Sequence, residues 1–168
     1  MKRDTNTWTL ALCIALLPPL WAVAAPYMGV STGAVALICA GLHSAESGRN
    51  STPLSLSFGF LLGDLWAVVA LYAMEWMKGN PDVTLFVTLF VLGGLAVLLS
   101  ALAPRWIFCP AWLCGWAIGL TILSPVGVAD MGSLPMQIGV AMLVGVWYVG
   151  TFLDAVQRKL AAWVSCSS

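Results

Sequence analysis

The sequence predicts an all-α membrane protein with six transmembrane helices, arranged as two three-helix repeats of inverted topology, in which the middle helix of each repeat is short. Composition is the first observation: 61% of the 168 residues are hydrophobic and only 8% are charged, whereas soluble domains carry about 25% charged residues. So much apolar surface requires lipid as the solvent. The other two observations are the segment lengths and the similarity of the halves. We expect one domain over residues 1–168, with repeats at about 8–76 and 83–157.

The first span is predicted at residues 8–27, and we expect it to stay uncleaved. Pro18 and Pro19 should kink or break this helix, because each proline removes a backbone hydrogen-bond donor. The Ala-Val-Ala triplet at 22–24 is also typical of a signal-peptide cleavage site. An uncleaved helix is the favoured interpretation, because the prolines interrupt the apolar run and the rest of the chain is polytopic.

Two more apolar segments complete the first repeat. Residues 31–43 form a short segment, and residues 52–76 form a full-length one. Thr52 supplies the N-cap of the full-length helix, and Pro53 supplies a first-turn proline. The sequence therefore predicts a long, short, long order of helices in the first half.

The second repeat has the same order of segments. A full-length span at 83–103 contains a predicted break at Gly93 and Gly94, a short segment covers 110–123, and a last span covers 133–155. The short segment amounts to roughly 21 Å of helix, against a hydrocarbon core of about 30 Å. Short, Gly- or Pro-interrupted segments at matching positions of two halves point to a transporter-like binding site.

Three ordered motif pairs, at offsets that grow slowly along the chain, predict a duplication. The pairs are Leu17-Pro-Pro-Leu20 with Leu92-Gly-Gly-Leu95, Ala40-Gly-Leu42 with Ile118-Gly-Leu120, and Pro53-Leu-Ser-Leu56 with Pro135-Met-Gln-Ile138. The last pair places Gly63 on Gly145. Leu and Gly are common in this chain, so a chance match is the alternative.

The distribution of cations favours six crossings with both termini in the cytoplasm. Only Lys78 then lies outside, and the inner side holds the other six cations: Lys2, Arg3, Arg49, Arg105, Arg158 and Lys159. If the short segments were re-entrant instead, Arg49 and Arg105 would move outside and Lys78 inside, a weaker bias. Because each repeat has three crossings, the second repeat is inverted relative to the first.

Four apolar stretches of the chain also carry a family resemblance. They are Trp21-Ala-Val, Trp66-Ala-Val-Val-Ala-Leu-Tyr72, Phe108-Cys-Pro-Ala-Trp-Leu-Cys-Gly115 and Leu134-Pro. Together they resemble a family of small bacterial inner-membrane proteins catalogued as domain of unknown function 1097, over roughly residues 8–155. The resemblance implies an inner-membrane location. It implies no catalytic or binding residues.

Asp64 is the clearest candidate for a site residue. It lies about twelve residues, or roughly 18 Å, from either end of its span. A carboxylate at that depth is costly and is by default a functional hypothesis. No cation is expected at comparable depth, so the neutral acid is favoured. A hydrogen-bonded structural residue at a helix contact is the alternative, and the sequence does not separate the two.

His43, Trp112 and Trp116 are the other candidates for a pathway or binding site. A partly wetted residue at a helix end is a more ordinary interpretation of His43 than a proton relay or a metal ligand. Trp112 and Trp116 share one helix face and either pack in the core or line a pathway. Helix breaks and close packing are predicted at Pro18, Pro19, Gly59, Gly63, Gly93, Gly94 and Pro110.

Transport is the function that these features favour. We expect no enzyme, because catalytic motifs are missing from the sequence, and no metal or other cofactor, because the cysteine spacing fits none. A net charge of zero gives no sign of nucleic-acid binding. We expect a small-solute channel or transporter with a site near the bilayer midplane, whose partners are the lipid bilayer and an unknown small solute. The alternatives are a non-transporting membrane component that binds a partner protein and a substrate-binding subunit of a larger uptake complex, and a homo-oligomer is left open.

Overall fold

The computed structural model describes residues 21, 24–32, 34–46, 52–77 and 79–166, and these residues form helices joined by turns and short irregular segments, with no β-strand among them. These residues form seven α-helices: α1 (Val35–Glu46), α2 (Pro53–Trp76), α3 (Pro81–Leu102), α4 (Cys109–Leu123), α5 (Gly127–Asp130), α6 (Leu134–Val144) and α7 (Leu153–Cys166). A π-helical segment, Gly145–Phe152, joins α6 to α7. Most of the predicted first span, including Pro18 and Pro19, lies outside the described residues. Its last turn, Ala25–Met28, is a 3₁₀ helix that ends at Gly29.

Helix α1 begins four residues later than the sequence predicts. The backbone N–H of Val35 donates to the carbonyl of Thr32 over 3.0 Å, so the chain turns before the helix starts. The preceding Ser31 is held by Gln137, whose Oε1 accepts from the Ser31 backbone N–H at 3.2 Å and from its hydroxyl at 2.9 Å. This contact is between residues far apart in the sequence, and local propensity does not reveal it.

Helix α2 confirms the predicted start of the third span. Thr52 Oγ1 accepts a hydrogen bond from the Ser55 backbone N–H at 3.2 Å, and Ser55 Oγ accepts one from the Thr52 N–H at 3.0 Å. This reciprocal capping box satisfies two backbone donors at the helix end. Pro53 occupies the first turn, where its missing N–H costs nothing.

The second half departs from the predicted helix breaks. Helix α3 continues through Gly93 and Gly94 without interruption, because glycine, unlike proline, keeps its backbone N–H and can remain in a helix. Helix α4 starts at Cys109, one residue earlier than predicted, with Pro110 in its first turn.

The last helix is longer and less regular than the predicted 133–155 span. It widens into the π segment Gly145–Phe152 and then continues as α7 to Cys166. Neither Gly nor Pro follows Gly150, and Arg and Lys are good helix formers, so nothing stops the helix at the predicted exit. Among the residues that the structure describes, three helices are long and apolar enough to cross a bilayer: Pro53–Trp76, Pro81–Leu102 and Leu134–Leu160.

Close contacts fix the relative directions of the helices. Helices α2 and α4 run in parallel, because Gly59 lies against Ala111 and Ala67 lies against Gly119. Helix α1 runs parallel to the last helix through contacts of its Ala36 and Cys39 with Gly145 and of its His43 with Gly150.

The last helix runs antiparallel to α2. Ser57, near the start of α2, accepts a hydrogen bond from Trp147 Nε1 at 3.0 Å, and Leu61, further along α2, meets Gly139, which precedes Trp147 in the chain. The start of α2, the start of α4, the end of α1 and α7 therefore share one end of the bundle. Helix α3 lies at the periphery, with Phe86 and Phe90 exposed.

Candidate functional site

The site is built on the contact between α2 and α4, where the two backbones touch. Gly59 on α2 lies against Ala111 of α4, Gly63 on α2 lies against Gly115 of α4, and Gly119 of α4 lies against Ala67 of α2. A Cβ atom added to Gly115 would lie only 2.5 Å from the carbonyl oxygen of Phe60, and one on Gly63 would overlap the backbone of Trp112 and Trp116. Small residues four positions apart lie on one helix face and allow this approach.

Asp64 follows Gly63 and is held in this contact. Asp64 is 7% exposed, and its carboxyl group lies between α4 and α6. A Cβ atom on Gly119 would lie 3.3 Å from Asp64 Oδ1, and one on Gly139 would lie 3.7 Å from Oδ2. Glycines on two neighbouring helices therefore leave the space that the carboxyl group occupies.

One oxygen of the Asp64 carboxyl group, Oδ1, is buried without a hydrogen-bond partner among the described residues. The sequences of α2, α4 and α6 contain no Lys, Arg or His. A buried carboxylate without a cation is unfavourable. The arrangement therefore suits a neutral acid that can donate a hydrogen bond or release a proton.

Trp112 and Trp116 lie in the packed wall beside this site. Trp112 is 2% exposed and meets Trp66 edge-on, with ring centroids 5.2 Å apart. Trp66 in turn donates its indole N–H to the Leu92 carbonyl of α3 at 3.0 Å. The ring of Trp116 lies against Gly93, whose added Cβ would be 3.6 Å away. The two indoles thus pack α4 against α2 and α3.

Two indole nitrogens in this wall are unsatisfied. Trp112 Nε1 and Trp116 Nε1 are buried and find no hydrogen-bond acceptor among the described residues. Buried indole N–H groups usually have a partner. Gly94, next to Gly93, has no atom within 4 Å of an added Cβ, so it plays no part in this packing.

His43 belongs to a separate cluster at the end of α1. Its ring lies against Gly150 of the π segment, and its Nε2 lies 3.4 Å from Thr151 Oγ1. His43 Nδ1 is 3.9 Å from a carboxyl oxygen of Asp154. The side chain is buried rather than wetted, because the last helix covers it. Sequence reasoning missed Thr151 and Asp154, and no local signal pairs them with a residue over a hundred positions away.

A cavity lies on the other side of the last helix. It has a volume of about 320 Å³ and is lined by Trp21, Ala24, Val144 and Tyr148. Its lining residues carry no charge, so the cavity differs in chemistry from the surroundings of Asp64. No group of three His, Cys, Asp or Glu residues in the described part of the chain could hold a metal ion.

A family model now identifies the chain. The model described as "Protein of unknown function (DUF1097)" matches residues 11–158. The chain belongs to this family. No curated protein and no solved structure matches the chain significantly.

In this DUF1097 protein, the structure brings together one part of the predicted site. Asp64, Gly59, Gly63, Trp112 and Trp116 all lie at the α2–α4 contact. His43 lies in its own cluster with the π segment, and Pro110 lies in the first turn of α4. Gly119 and Gly139, which flank the carboxyl group, were not singled out from the sequence, since neither forms a recognisable motif with Asp64.

Proposed function

We propose that this DUF1097 protein is a small-solute transporter or channel of the bacterial inner membrane, with its site at Asp64 near the bilayer midplane. The observation that carries the proposal is the buried carboxyl oxygen of Asp64, which has no partner among the described residues although it lies halfway along a 24-residue apolar helix. A carboxyl group in that position stabilises little by itself, which supports a role in binding a ligand or a proton.

The helix directions support the five proposed crossings from α1 onwards; most of the first span lies outside the described residues. Helix α2 is antiparallel to the last helix and parallel to α4, and α1 is parallel to the last helix. Helix α3 runs antiparallel to α2, because Trp66 donates to the Leu92 carbonyl while Thr84, near the start of α3, donates to the Met77 carbonyl just after α2. Consecutive segments therefore alternate in direction from α1 onwards, as full crossings require. In this arrangement Arg49, Arg105 and Arg158 share the cytoplasmic side.

Matching buried positions support the proposed inverted repeat. Each short helix packs against the third span of the other half: α4 against α2, and α1 against the last helix. Gly63 contacts Gly115, and Gly145 contacts Cys39. Fully buried side chains also recur 82 positions apart: Leu56 with Ile138 and Phe60 with Met142.

The short helices favour transport over a purely structural role. With 12 and 15 residues, α1 and α4 span roughly 18 and 22 Å, less than the hydrocarbon core of about 30 Å. The route from water to the level of Asp64 is correspondingly shortened. Short central helices at a repeat interface are where transporters place their sites.

Flux in reconstituted vesicles tests the proposal. Proteoliposomes would be loaded with a panel of small neutral and anionic solutes, and parent vesicles compared with Asp64→Asn vesicles at matched protein content. We expect at least one solute to exchange in parent vesicles and not in the variant. Equal release from parent, variant and empty vesicles for every solute would contradict transport and favour the partner-binding alternative. Solute binding without flux would favour a substrate-binding subunit.

A further inference from the structure

We propose that Asp64 is a proton-carrying residue, reached through the seam between α2 and α6 over Gly139, so that a neutral or anionic solute moves together with a proton. This inference rests on the proposed function and specifies the coupling ion of the same site. Three observations support the proposal: the packing on either side of the carboxyl group, the potential ligands around it, and the charged groups on the neighbouring helices.

The α4 side of the carboxyl group is closed. A Cβ atom on Gly119 would lie 2.5 Å from the Cβ of Ala67, so the two helices already touch there. The α6 side is looser. A Cβ atom on Gly139 would lie 3.7 Å from Asp64 Oδ2 and 3.3 Å from the end of the flexible Leu61 side chain. A methyl group fits at Gly139 once the flexible Leu61 side chain shifts by a few tenths of an ångström, whereas none fits at Gly119, so we infer access to the acid over Gly139.

The ligands around Asp64 suit a proton and not a metal cation. Hard cations take several oxygen ligands. Helices α2, α4 and α6 are continuous where they pass the carboxyl group, so their carbonyl oxygens are engaged in helix hydrogen bonds. No cluster of three potential ligand side chains occurs among the described residues. A metal ion would find one carboxylate, whereas a proton needs only one oxygen.

No cation on α2, α4 or α6 ties the proton to Asp64. The other titratable groups on the three helices are Tyr72 and Glu75, two turns or more further along α2, and Cys109 and Cys114 on α4. None of these groups is a cation. When Asp64 ionises, the proton passes to water or to the solute and the carboxylate stays behind. When it is reprotonated, the neutral acid returns to the apolar contact.

Labelling with N,N′-dicyclohexylcarbodiimide detects the protonated carboxyl group directly, and the measurement does not depend on solute flux. The acid proton adds to one nitrogen of the carbodiimide, the carboxyl oxygen bonds to its central carbon, and rearrangement gives a stable acylurea with no leaving group. The full-length protein in liposomes would be labelled over a range of pH, in sodium chloride or in choline chloride of equal ionic strength. Mass spectrometry of peptides would quantify the adduct on Asp64, with exposed Asp82 as the comparator.

We expect Asp64 to be labelled, Asp82 to stay unlabelled, and labelling to fall several-fold as the pH rises, equally in sodium and choline. Gly139→Ala should slow the labelling several-fold, whereas Gly94→Ala, whose added methyl meets nothing within 4 Å, should not. Suppression by sodium alone would overturn the proton assignment in favour of a metal cation. An unlabelled Asp64 in folded protein, or equal rates in the two glycine variants, would overturn the access route. Positive labelling without solute flux in any vesicle would refute the proposed function and leave the proton site standing.

Discussion

At the scale of single residues, Asp64 is a carboxylic acid for which the fold leaves space but supplies no hydrogen bond to the buried oxygen from the described residues. Gly119 and Gly139 leave this space, and the buried oxygen is Oδ1. A side chain of this kind adds little to stability, because its buried oxygen loses hydration and gains no partner. Its loss should therefore affect function far more than folding.

The substitution Asp64→Asn tests this separation of function from stability. Asparagine keeps the shape of the side chain and cannot ionise. We expect the variant to insert normally, to melt within a few degrees of the parent in detergent, and to lose pH-dependent solute flux. Asp64→Leu serves as the second variant and should be no less stable than Asp64→Asn. A large loss of thermal stability in Asp64→Asn with normal flux in the surviving protein would instead make Asp64 a structural residue.

The glycines of the α2–α4 contact should be sensitive to a single methyl group. Gly63→Ala would place a Cβ into the backbone of α4, and overpacking of this kind costs about 1–3 kcal/mol. Gly94→Ala is the matched control, because it faces open space on α3 and should be neutral or slightly stabilising. Denaturant unfolding in detergent would measure both. Equal free energies of unfolding for the two variants would show that the helices do not touch at Gly63.

Some of these residues can be identified from the sequence alone, and others cannot. Asp64 stands out because a carboxylate interrupts a long apolar run, and that signal is local. Its neighbours Gly119 and Gly139 do not stand out, since they lie 55 and 75 positions away in a chain of 16 glycines. His43 was expected to be partly wetted and is buried, and the reason is again a contact that is distant in the sequence. Its end-of-helix position indicates water, and its burial depends on Gly150, which is distant in the sequence.

At the scale of helices, capping chemistry and composition predicted the starts of α2 and α4 to within one residue. The interruptions were harder to predict. Gly93 and Gly94 leave α3 intact, whereas the irregular stretch is Gly145–Phe152, which no proline marks. The π segment lies where α1 packs closely on the last helix, and Thr151 donates its hydroxyl to the Val146 carbonyl at 3.0 Å. The change from α-helix to π-helix therefore coincides with a tertiary contact and not with a local sequence signal.

A double-mutant cycle tests the contact between α1 and the π segment. A Cβ atom on Gly150 would lie 2.7 Å from the ring of His43. Gly150→Ala should therefore destabilise the parent protein, and His43→Ala should remove most of that penalty. The coupling energy should fall within about 0.5–3 kcal/mol, the range for residues in contact. Gly41→Ala, an open position on α1, should show no coupling to His43→Ala. Additive effects of Gly150→Ala and His43→Ala would contradict the packing described here.

At the scale of the whole molecule, two close helix pairs hold the bundle together. Helix α4 packs on α2, and α1 packs on the last helix, in both cases through glycines. Helix α3 contributes little to the core and presents an apolar face outward, as a lipid-facing helix does. The composition predicts this membrane environment, and the glycine spacing on α2 predicts a close contact. Which helix fills that contact depends on the pairing of the two halves.

We propose that the chain crosses the membrane six times, so that the second half is inverted relative to the first. Reporter fusions that are active on only one side of the membrane test it most directly. Fusions after Arg49, Arg105 and Ser168 should report the cytoplasm, and fusions near Asn80 and Asp130 should report the outside. An external signal at Arg49 or Arg105 would mean that a short helix returns to its own side, and it would contradict the inverted arrangement around Asp64.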